Sequence, residues 1–262
     1  MSKSEEYQKR LAGLNDWMPY LRKQSGLPGP RGNLELAAVV AAQASPHQIE
    51  ALLSIPREQA PENTANVFLV FCGVSALGRL AARGDDRQLA RLRGYASDPR
   101  WRIREAVAIG LQNLGDARPD DLLREMHMWR QGNWYEKRAA AAALAEPRLL
   151  KEPRMAAAVL KILDAITADI EGAVEAKSDA YKTLRKSLGY CWSVAVAALP
   201  EKGKRLLEKW ITSRNPDIQW IVKSNLSKSR LARLDPKWVE SCLARLPGRP
   251  AKDGRKRLAT HP

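Results

Sequence analysis

Residues 98–111, with the sequence DPRWRIREAVAIGL, decide the fold of this chain. The Asp-Pro pair is a helix start signal, and the apolar residues that follow are spaced as on one face of an α-helix. Similar segments rich in small residues begin at positions 34, 67, 101 and 134, so the successive offsets are 33, 34 and 33 residues. A fixed period of this length suits two helices with two short turns and is typical of stacked helical repeats.

Two less regular copies begin at positions 189 and 216, after offsets of 55 and 27 residues. The longer segment at 151–188 predicts two long helices, one over 154–163 and one over 165–188 with a bend at Gly172.

The central copy, an Asp-Pro pair followed by arginines, alanines and a closing leucine, resembles HEAT repeats. We therefore predict one domain over residues 1–246, an all-α solenoid of antiparallel helix pairs that winds as a right-handed superhelix. Residues 247–262 contain Pro, Gly and basic residues without periodicity, which predicts a flexible basic tail.

The chain is strongly basic, with 44 Lys and Arg against 29 Asp and Glu and a net charge of +15. The excess is uneven, because residues 201–262 contain 16 Lys and Arg against 6 Asp and Glu. A surplus of this size favours a polyanionic partner such as nucleic acid. A basic surface that serves only solubility is the alternative that the composition leaves open.

The sequence contains no pattern typical of a metal or cofactor site. Its three cysteines and three histidines lack metal-ligand spacing, and there is no Gly-rich phosphate loop, HExxH or GxSxG motif. We therefore predict no metal and no cofactor. The N-terminus lacks the apolar segment of a signal peptide and no membrane span is expected, so a cytoplasmic or nucleoid-associated location is the default.

One group of residues in the central repeats has the composition of a chemical site. Trp101 and Glu105 lie four positions apart and so share a helix face. The offset of 33 that separates Trp101 from Trp134 also separates Glu105 from Arg138, which makes the last two neighbours between repeats. One interpretation is an ion pair between repeats beneath two packed tryptophans, which would contribute little stability.

The second interpretation comes from a resemblance. A Trp followed by an acid four residues later, and by Arg-Ala-Ala in the next repeat, resembles the HEAT-like alkylpurine DNA glycosylases of the DNA alkylation repair family. The resemblance implies that Glu105 is a catalytic carboxylate that stabilises positive charge at the anomeric carbon, and that Arg138 contacts a phosphate. The family usually has Asp where this chain has Glu105, and its second tryptophan has only Trp192 and Trp220 as candidate matches. Non-catalytic relatives exist, so the resemblance favours DNA binding over catalysis.

A second set of candidate residues follows the last repeat. Lys and Arg near helix ends contact phosphates without reading sequence, and such residues lie directly after Trp220. The predicted DNA-binding residues are Trp101, Trp134, Arg138, Trp220, Lys223, Lys228 and Arg230. The predicted function is binding of the duplex DNA backbone in a basic concave groove, and the sequence leaves open whether the protein also excises alkylated bases. The alternative is a protein–protein interaction scaffold without catalysis, a common role of HEAT repeats.

Overall fold

The computed structural model of the protein describes residues 2–173 and 178–247. Within those ranges every regular element is helical, so the predicted all-α repeat fold is confirmed. The α-helices are α1 (Lys3–Ala12), α2 (Met18–Gln24), α3 (Leu34–Gln43), α4 (Pro46–Leu53), α5 (Ala65–Ala82), α6 (Arg87–Ala96), α7 (Trp101–Ala117), α8 (Pro119–Trp129), α9 (Trp134–Leu144), α10 (Pro153–Glu171), α11 (Asp179–Ala198), α12 (Pro200–Glu208), α13 (Pro216–Leu226), α14 (Ser229–Leu234) and α15 (Pro236–Arg245). Short 3-10 turns lie at Arg57–Gln59 and Pro147–Leu150.

Alternate helices pack into two rows. The first row is the series α3, α5, α7, α9, α11 and α13, in which each helix contacts the next. Helices α8, α10 and α12 contact one another in turn and belong to the second row, which pairs with the first along the chain. One hydrophobic core runs between the rows from Tyr7 to Cys242. The right-handed sense of the superhelix stays a prediction.

Polar caps determine where the helices of the first row begin. A side-chain oxygen accepts hydrogen bonds from the first-turn amides at five of the six helices, through Asn33, Thr64, Asn133, Ser178 and Asn215. Helix α7 begins without such a cap.

The start of α7 is organised instead by the predicted Asp-Pro signal. The Asp98 carboxylate accepts from the Arg100 backbone N–H at 2.8 Å and from the Arg100 guanidinium at 2.7 and 2.9 Å. Asp98 therefore fixes the residue that directly precedes the helix.

The repeat spacing predicted most first-row helix starts correctly. The predicted starts at 34, 101, 134 and 216 are the first residues of α3, α7, α9 and α13, and α5 begins two residues before position 67.

The prediction for 151–188 was wrong. Helix α10 continues through 164 because Ile162, Ile166 and Ile170 extend its buried face, and it ends at Glu171 with Gly172 as its cap rather than bending there. The next helix begins at Asp179, so the predicted start at 189 lies in the middle of α11. The segment supplies an ordinary helix pair and not an insertion.

Helix α5 is the centre of the core. It contacts α2, α3, α4, α6 and α7, and 72% of it is buried. Its length and mean hydropathy of 1.6 would also suit a membrane span, by composition alone. A helix that is apolar on all sides and covered by protein is typical of a core helix.

The first-row helices meet by two different kinds of contact. Between α5 and α7, a Cβ added to Gly78 would lie 1.8 Å from the Gly110 carbonyl oxygen, so only glycine permits this approach. Between α11 and α13, the buried Asn225 side chain accepts from the Ser193 N–H at 2.8 Å and donates to the carbonyls of Leu188 and Ile221, each at 2.8 Å. Except for Pro247, the predicted tail at 247–262 lies outside the described residues.

Candidate functional site

Aromatic and charged side chains near the N-terminal ends of the first-row helices form a strip across the molecule. We call this the cross-helix strip. It contains Trp101 and Glu105 of α7, Trp134 and Arg138 of α9, Tyr181 and Arg185 of α11, and Asp217 and Trp220 of α13. Because successive helices begin at matching levels, residues one turn apart on each helix meet their counterparts on the next.

The Glu105–Arg138 ion pair joins α7 to α9. One guanidinium nitrogen of Arg138 donates to Glu105 Oε1, and another donates to the Arg104 carbonyl at 2.9 Å. The Arg138 side chain is only 10% exposed, whereas the Glu105 side chain is 42% exposed. The ion pair between repeats that the 33-residue offset predicts is therefore confirmed, with Arg138 in the packed interior and the carboxylate at the surface.

The indole of Trp101 is held in place although it is 47% exposed. The Arg102 guanidinium lies 4.5 Å from the centroid of the ring, within the range of a cation–π contact. Arg102 is itself fixed by an ion pair with Glu62 at 3.0 Å and by hydrogen bonds to Gly29 O and Asn63 Oδ1, each at 3.0 Å. A flat aromatic surface is thus presented to solvent in a fixed orientation.

Trp101 and Glu105 line a cavity of about 230 Å³ between α3, α5, α7 and the segment at 27–32. The apolar residues of its wall are Leu27, Leu34, Phe68, Phe71 and Ile109. Glu105 is the one carboxylate among the lining residues, and Arg31 and Arg102 are the cations.

Toward α11 and α13, the residues of the strip contact one another. The ring of Trp134 meets Tyr181 edge to face at 5.5 Å, and the Tyr181 hydroxyl donates to Asp217 Oδ2 at 2.8 Å. Burial, together with this hydrogen bond, raises the pKa of Tyr181, so the phenol stays protonated and keeps donating.

Trp220 lies against α11. A Cβ at Gly189 would lie 2.6 Å from the Trp220 ring, so the glycine provides the space that the indole occupies. One turn earlier, the Arg185 guanidinium covers the ring at 3.9 Å and pairs with Asp217 at 2.5 Å. The indole remains 37% exposed on its other side.

A basic surface adjoins this end of the strip. We define the basic surface as Lys186 and Tyr190 of α11, Lys223 of α13, and Lys228 and Arg230 at the start of α14. None of its four cations forms an ion pair with another described residue of the chain.

Tyr190 organises the basic surface. Its ring is 47% exposed, and the Arg230 guanidinium lies 4.7 Å from the ring centroid and donates to the phenol oxygen at 2.5 Å. The Lys228 ammonium lies 5.9 Å from the same ring. Two cations from a neighbouring helix therefore gather around one exposed aromatic residue.

An open groove of about 470 Å³ continues from the basic surface, between the 3-10 turn at Pro147–Leu150, α11 and α14. Lys151, Arg230 and Arg233 line it, and none of its lining residues is a carboxylate. Leu150 and Val194 contribute apolar surface to it. Three cations without a lining acid give this groove a positive potential.

The structure separates the residues predicted to bind DNA into two groups. Trp220, Lys223, Lys228 and Arg230 lie on α13 and at the start of α14, which contact each other and α11. Trp101 is exposed on α7, whereas Trp134 is half-buried and Arg138 is buried.

Lys186, Tyr190 and Lys151 escaped the sequence reasoning, whereas Arg230 of the adjoining groove was predicted. Exposed residues recur four apart at Lys182, Lys186 and Tyr190, opposite the buried Leu184 and Leu188. This spacing is the signal that could have revealed the face. The predicted repeat start at position 189 divided α11 in two, so this spacing was not recognised.

The described residues contain no group of three His, Cys, Asp or Glu placed to hold a metal ion. The three cysteines are free and buried. Burial raises the pKa of the Cys191 thiol to about 11, so little of it is present as the reactive thiolate near neutral pH.

Comparison with protein-family models, with curated proteins and with solved structures finds no match to this chain.

Proposed function

We propose that this protein binds duplex DNA through the phosphate backbone, on the face formed by α11, α13 and α14. The observation that carries the proposal is the basic surface, in which four cations without ion-pair partners lie on the mutually packed α11, α13 and α14, two of them against the exposed Tyr190. Lys and Arg on helix ends and faces contact phosphates without reading sequence, and exposed aromatic rings provide flat contacts for sugar and base.

Net charge alone does not locate such a site, because many of the basic residues serve the fold. Arg100, Arg102 and Arg138 are each buried and bond to carboxylates and carbonyls of the chain. Only exposed cations free of acidic neighbours can release counterions when DNA binds. Lys186 and Lys223 of the basic surface and Lys151 and Arg233 of the adjoining groove meet that requirement, since they are exposed and form no ion pair with another described residue.

The rest of the strip extends the proposed contact along the first row. Packed helices lie about 8 to 10 Å apart, so α7 and α13, with α9 and α11 between them, are separated by roughly 30 Å. About nine base pairs of duplex at 3.4 Å each span that distance. DNA lying along the first row would thus reach both the basic surface and Trp101. In this proposal Arg138 positions Glu105 instead of contacting phosphate.

The test is a salt titration of duplex binding by fluorescence anisotropy. We expect the double variant Lys186→Ala/Lys223→Ala to bind more weakly and to show a salt slope smaller by about two, because two phosphate contacts are lost. The matched control is Lys161→Ala, an exposed lysine of α10 in the second row, which should leave the slope unchanged. Equal slopes for the double variant and the wild type would contradict the proposal. Absence of any duplex affinity at low salt would favour the protein scaffold instead.

A second candidate function is hydrolysis of the N-glycosidic bond of an alkylated base, with Glu105 as the stabilising carboxylate. The specific observation is that Arg138 fixes an exposed carboxylate beside the exposed Trp101. A carboxylate so placed can stabilise positive charge at an anomeric carbon. We expect Glu105→Gln to abolish release of methylated bases while duplex affinity stays unchanged. Release by this variant at the wild-type rate would exclude Glu105 as the catalytic group.

A further inference from the structure

We infer that the cavity beside Trp101 receives one unstacked nucleobase that carries an amino group on its edge. The inference rests on the proposed DNA binding, because the basic surface would hold the strand from which the base comes. It goes beyond that proposal by identifying what the α7 end of the strip recognises.

The dimensions and walls of the cavity suit a flat ring. At about 230 Å³ it is larger than the engineered apolar cavity of about 150 Å³ that admits benzene. The rings of Phe68 and Phe71 lie nearly parallel, with an angle of 9° between their planes, and Leu27 and Ile109 complete the apolar wall. Such walls exclude a charged phosphate and favour an aromatic guest.

The polar groups of the cavity determine which hydrogen-bonding groups a bound base should carry. Glu105 Oε1 accepts from Arg138, and no other described side chain donates to the Glu105 carboxylate. A carboxylate in this position accepts a hydrogen bond from an exocyclic amino group, as Asp and Glu do from cytosine. Adenine, cytosine and guanine carry such a group and are therefore favoured over thymine, whose single N–H is flanked by two carbonyl oxygens that repel the carboxylate.

The rim of the cavity is shaped for a base that leaves a strand. Trp101 and Leu34 line it and are 47% and 55% exposed, so they offer apolar surface to a ring that enters. Arg31 also lines the cavity, is exposed and forms no ion pair with another described residue, which leaves it available for the phosphate of the same nucleotide. Stacking on such an aromatic platform stabilises an unpaired base.

An apolar side chain of a protein partner is the competing occupant. The position of the cavity favours the nucleobase, because the cross-helix strip links Glu105 through α9 and α11 to the basic surface by contacts at every helix junction. A single ligand that is anionic along its length and aromatic at intervals matches both ends of the strip.

The experiment compares duplexes that differ only at one position, which is fully paired, an unpaired adenine or an unpaired thymine. We expect the wild-type protein to bind the unpaired adenine about 10-fold more tightly than the paired duplex, and the unpaired thymine less tightly than the adenine. An unpaired 2-aminopurine should change its fluorescence when the protein binds.

Two variants that fill the cavity from different helices, Leu34→Trp on α3 and Ile109→Phe on α7, should lose the preference for adenine while binding the paired duplex as before. The matched control is Leu243→Trp, a leucine of α15 that is 40% exposed and lies away from the cavity. It should keep the preference. Thermal melts of both filling variants show whether they remain folded.

Equal affinity for all three duplexes, with salt-dependent binding intact, would overturn the nucleobase assignment and leave the proposed DNA binding standing. Retention of the preference in both filling variants would also overturn it. Loss of affinity for every duplex would instead refute the DNA binding on which the inference rests.

Discussion

The α5/α7 junction and the α11/α13 junction join neighbouring helices of the same row by different means. At the first, the backbones meet at Gly78 and Gly110, and no side chain lies between them at that point. At the second, the buried amide of Asn225 bonds to three backbone groups of α11 and α13.

The difference shows how one helical row can carry two unlike surfaces. Around the first junction Arg100 and Arg102 are bonded internally, and the surface feature is a largely apolar cavity. Around the second junction the register is fixed by a neutral amide in the interior. The cations Lys186 and Lys223 on the outer faces are therefore not needed to hold the helices together, and they are available for a ligand.

The largest effect should come from adding one methyl group at the first junction. In Gly78→Ala the new Cβ would overlap the Gly110 carbonyl, so α5 and α7 must separate and the core between them must loosen. We expect a loss of about 3 kcal/mol in the free energy of unfolding, measured by urea denaturation. The matched control is Gly94→Ala on α6, where a Cβ meets nothing within 4 Å. It should stabilise the protein by about 0.5 to 1 kcal/mol. Equal effects of the two substitutions would show that the helices do not meet at Gly78.

At the α11/α13 junction we expect a substitution to lower stability by leaving buried polar groups without partners, not by steric overlap. Asn225→Ala removes the acceptor of the Ser193 N–H and a donor to the Leu188 carbonyl, and both backbone groups are buried. We expect a loss of about 2 kcal/mol in the free energy of unfolding. Asn215→Ala, which removes a helix cap and a longer hydrogen bond to the Ile170 carbonyl at 3.3 Å, should cost about 1 kcal/mol and serves as the comparison. A smaller loss for Asn225→Ala than for Asn215→Ala would refute the role given to the buried amide.

We expect the more buried ion pair of the cross-helix strip to contribute more to the free energy of unfolding. Arg138→Ala removes a nearly buried guanidinium that bonds to Glu105 and to the Arg104 carbonyl, so we expect a loss of about 1.5 kcal/mol. Arg185→Ala removes a more exposed guanidinium and should cost less than about 1 kcal/mol. Thermal or urea unfolding of the two variants side by side decides the order. The reverse order would mean that Arg138 is not the main polar link between α7 and α9.

The sequence predicted the contact between α7 and α9 correctly but placed the start of α11 wrongly. The 33-residue period predicted the Glu105–Arg138 pair because contact between equivalent positions of adjacent repeats follows from register alone. It failed at α11, where the longer α10 changes the spacing and the helix begins at Asp179 rather than at 189.

The cavity and the grouping around Tyr190 were beyond sequence reasoning for a different reason. The cavity depends on the segment at 27–32 folding back against Phe68, a contact between parts of the chain that periodicity does not relate. The contact of Arg230 with Tyr190 spans 40 residues and depends on how α14 turns after α13. Composition showed that the cations exist, but only the packing shows which of them remain unpaired.

The most direct test of the central claim is a hydrogen-exchange footprint of the protein with and without a short DNA duplex. We expect slower amide exchange in peptides from α11, α13 and the start of α14 when DNA is bound, with α10 and α12 of the second row unchanged. Protection that appears only on α10 and α12, or no protection at a DNA concentration that saturates binding, would contradict it.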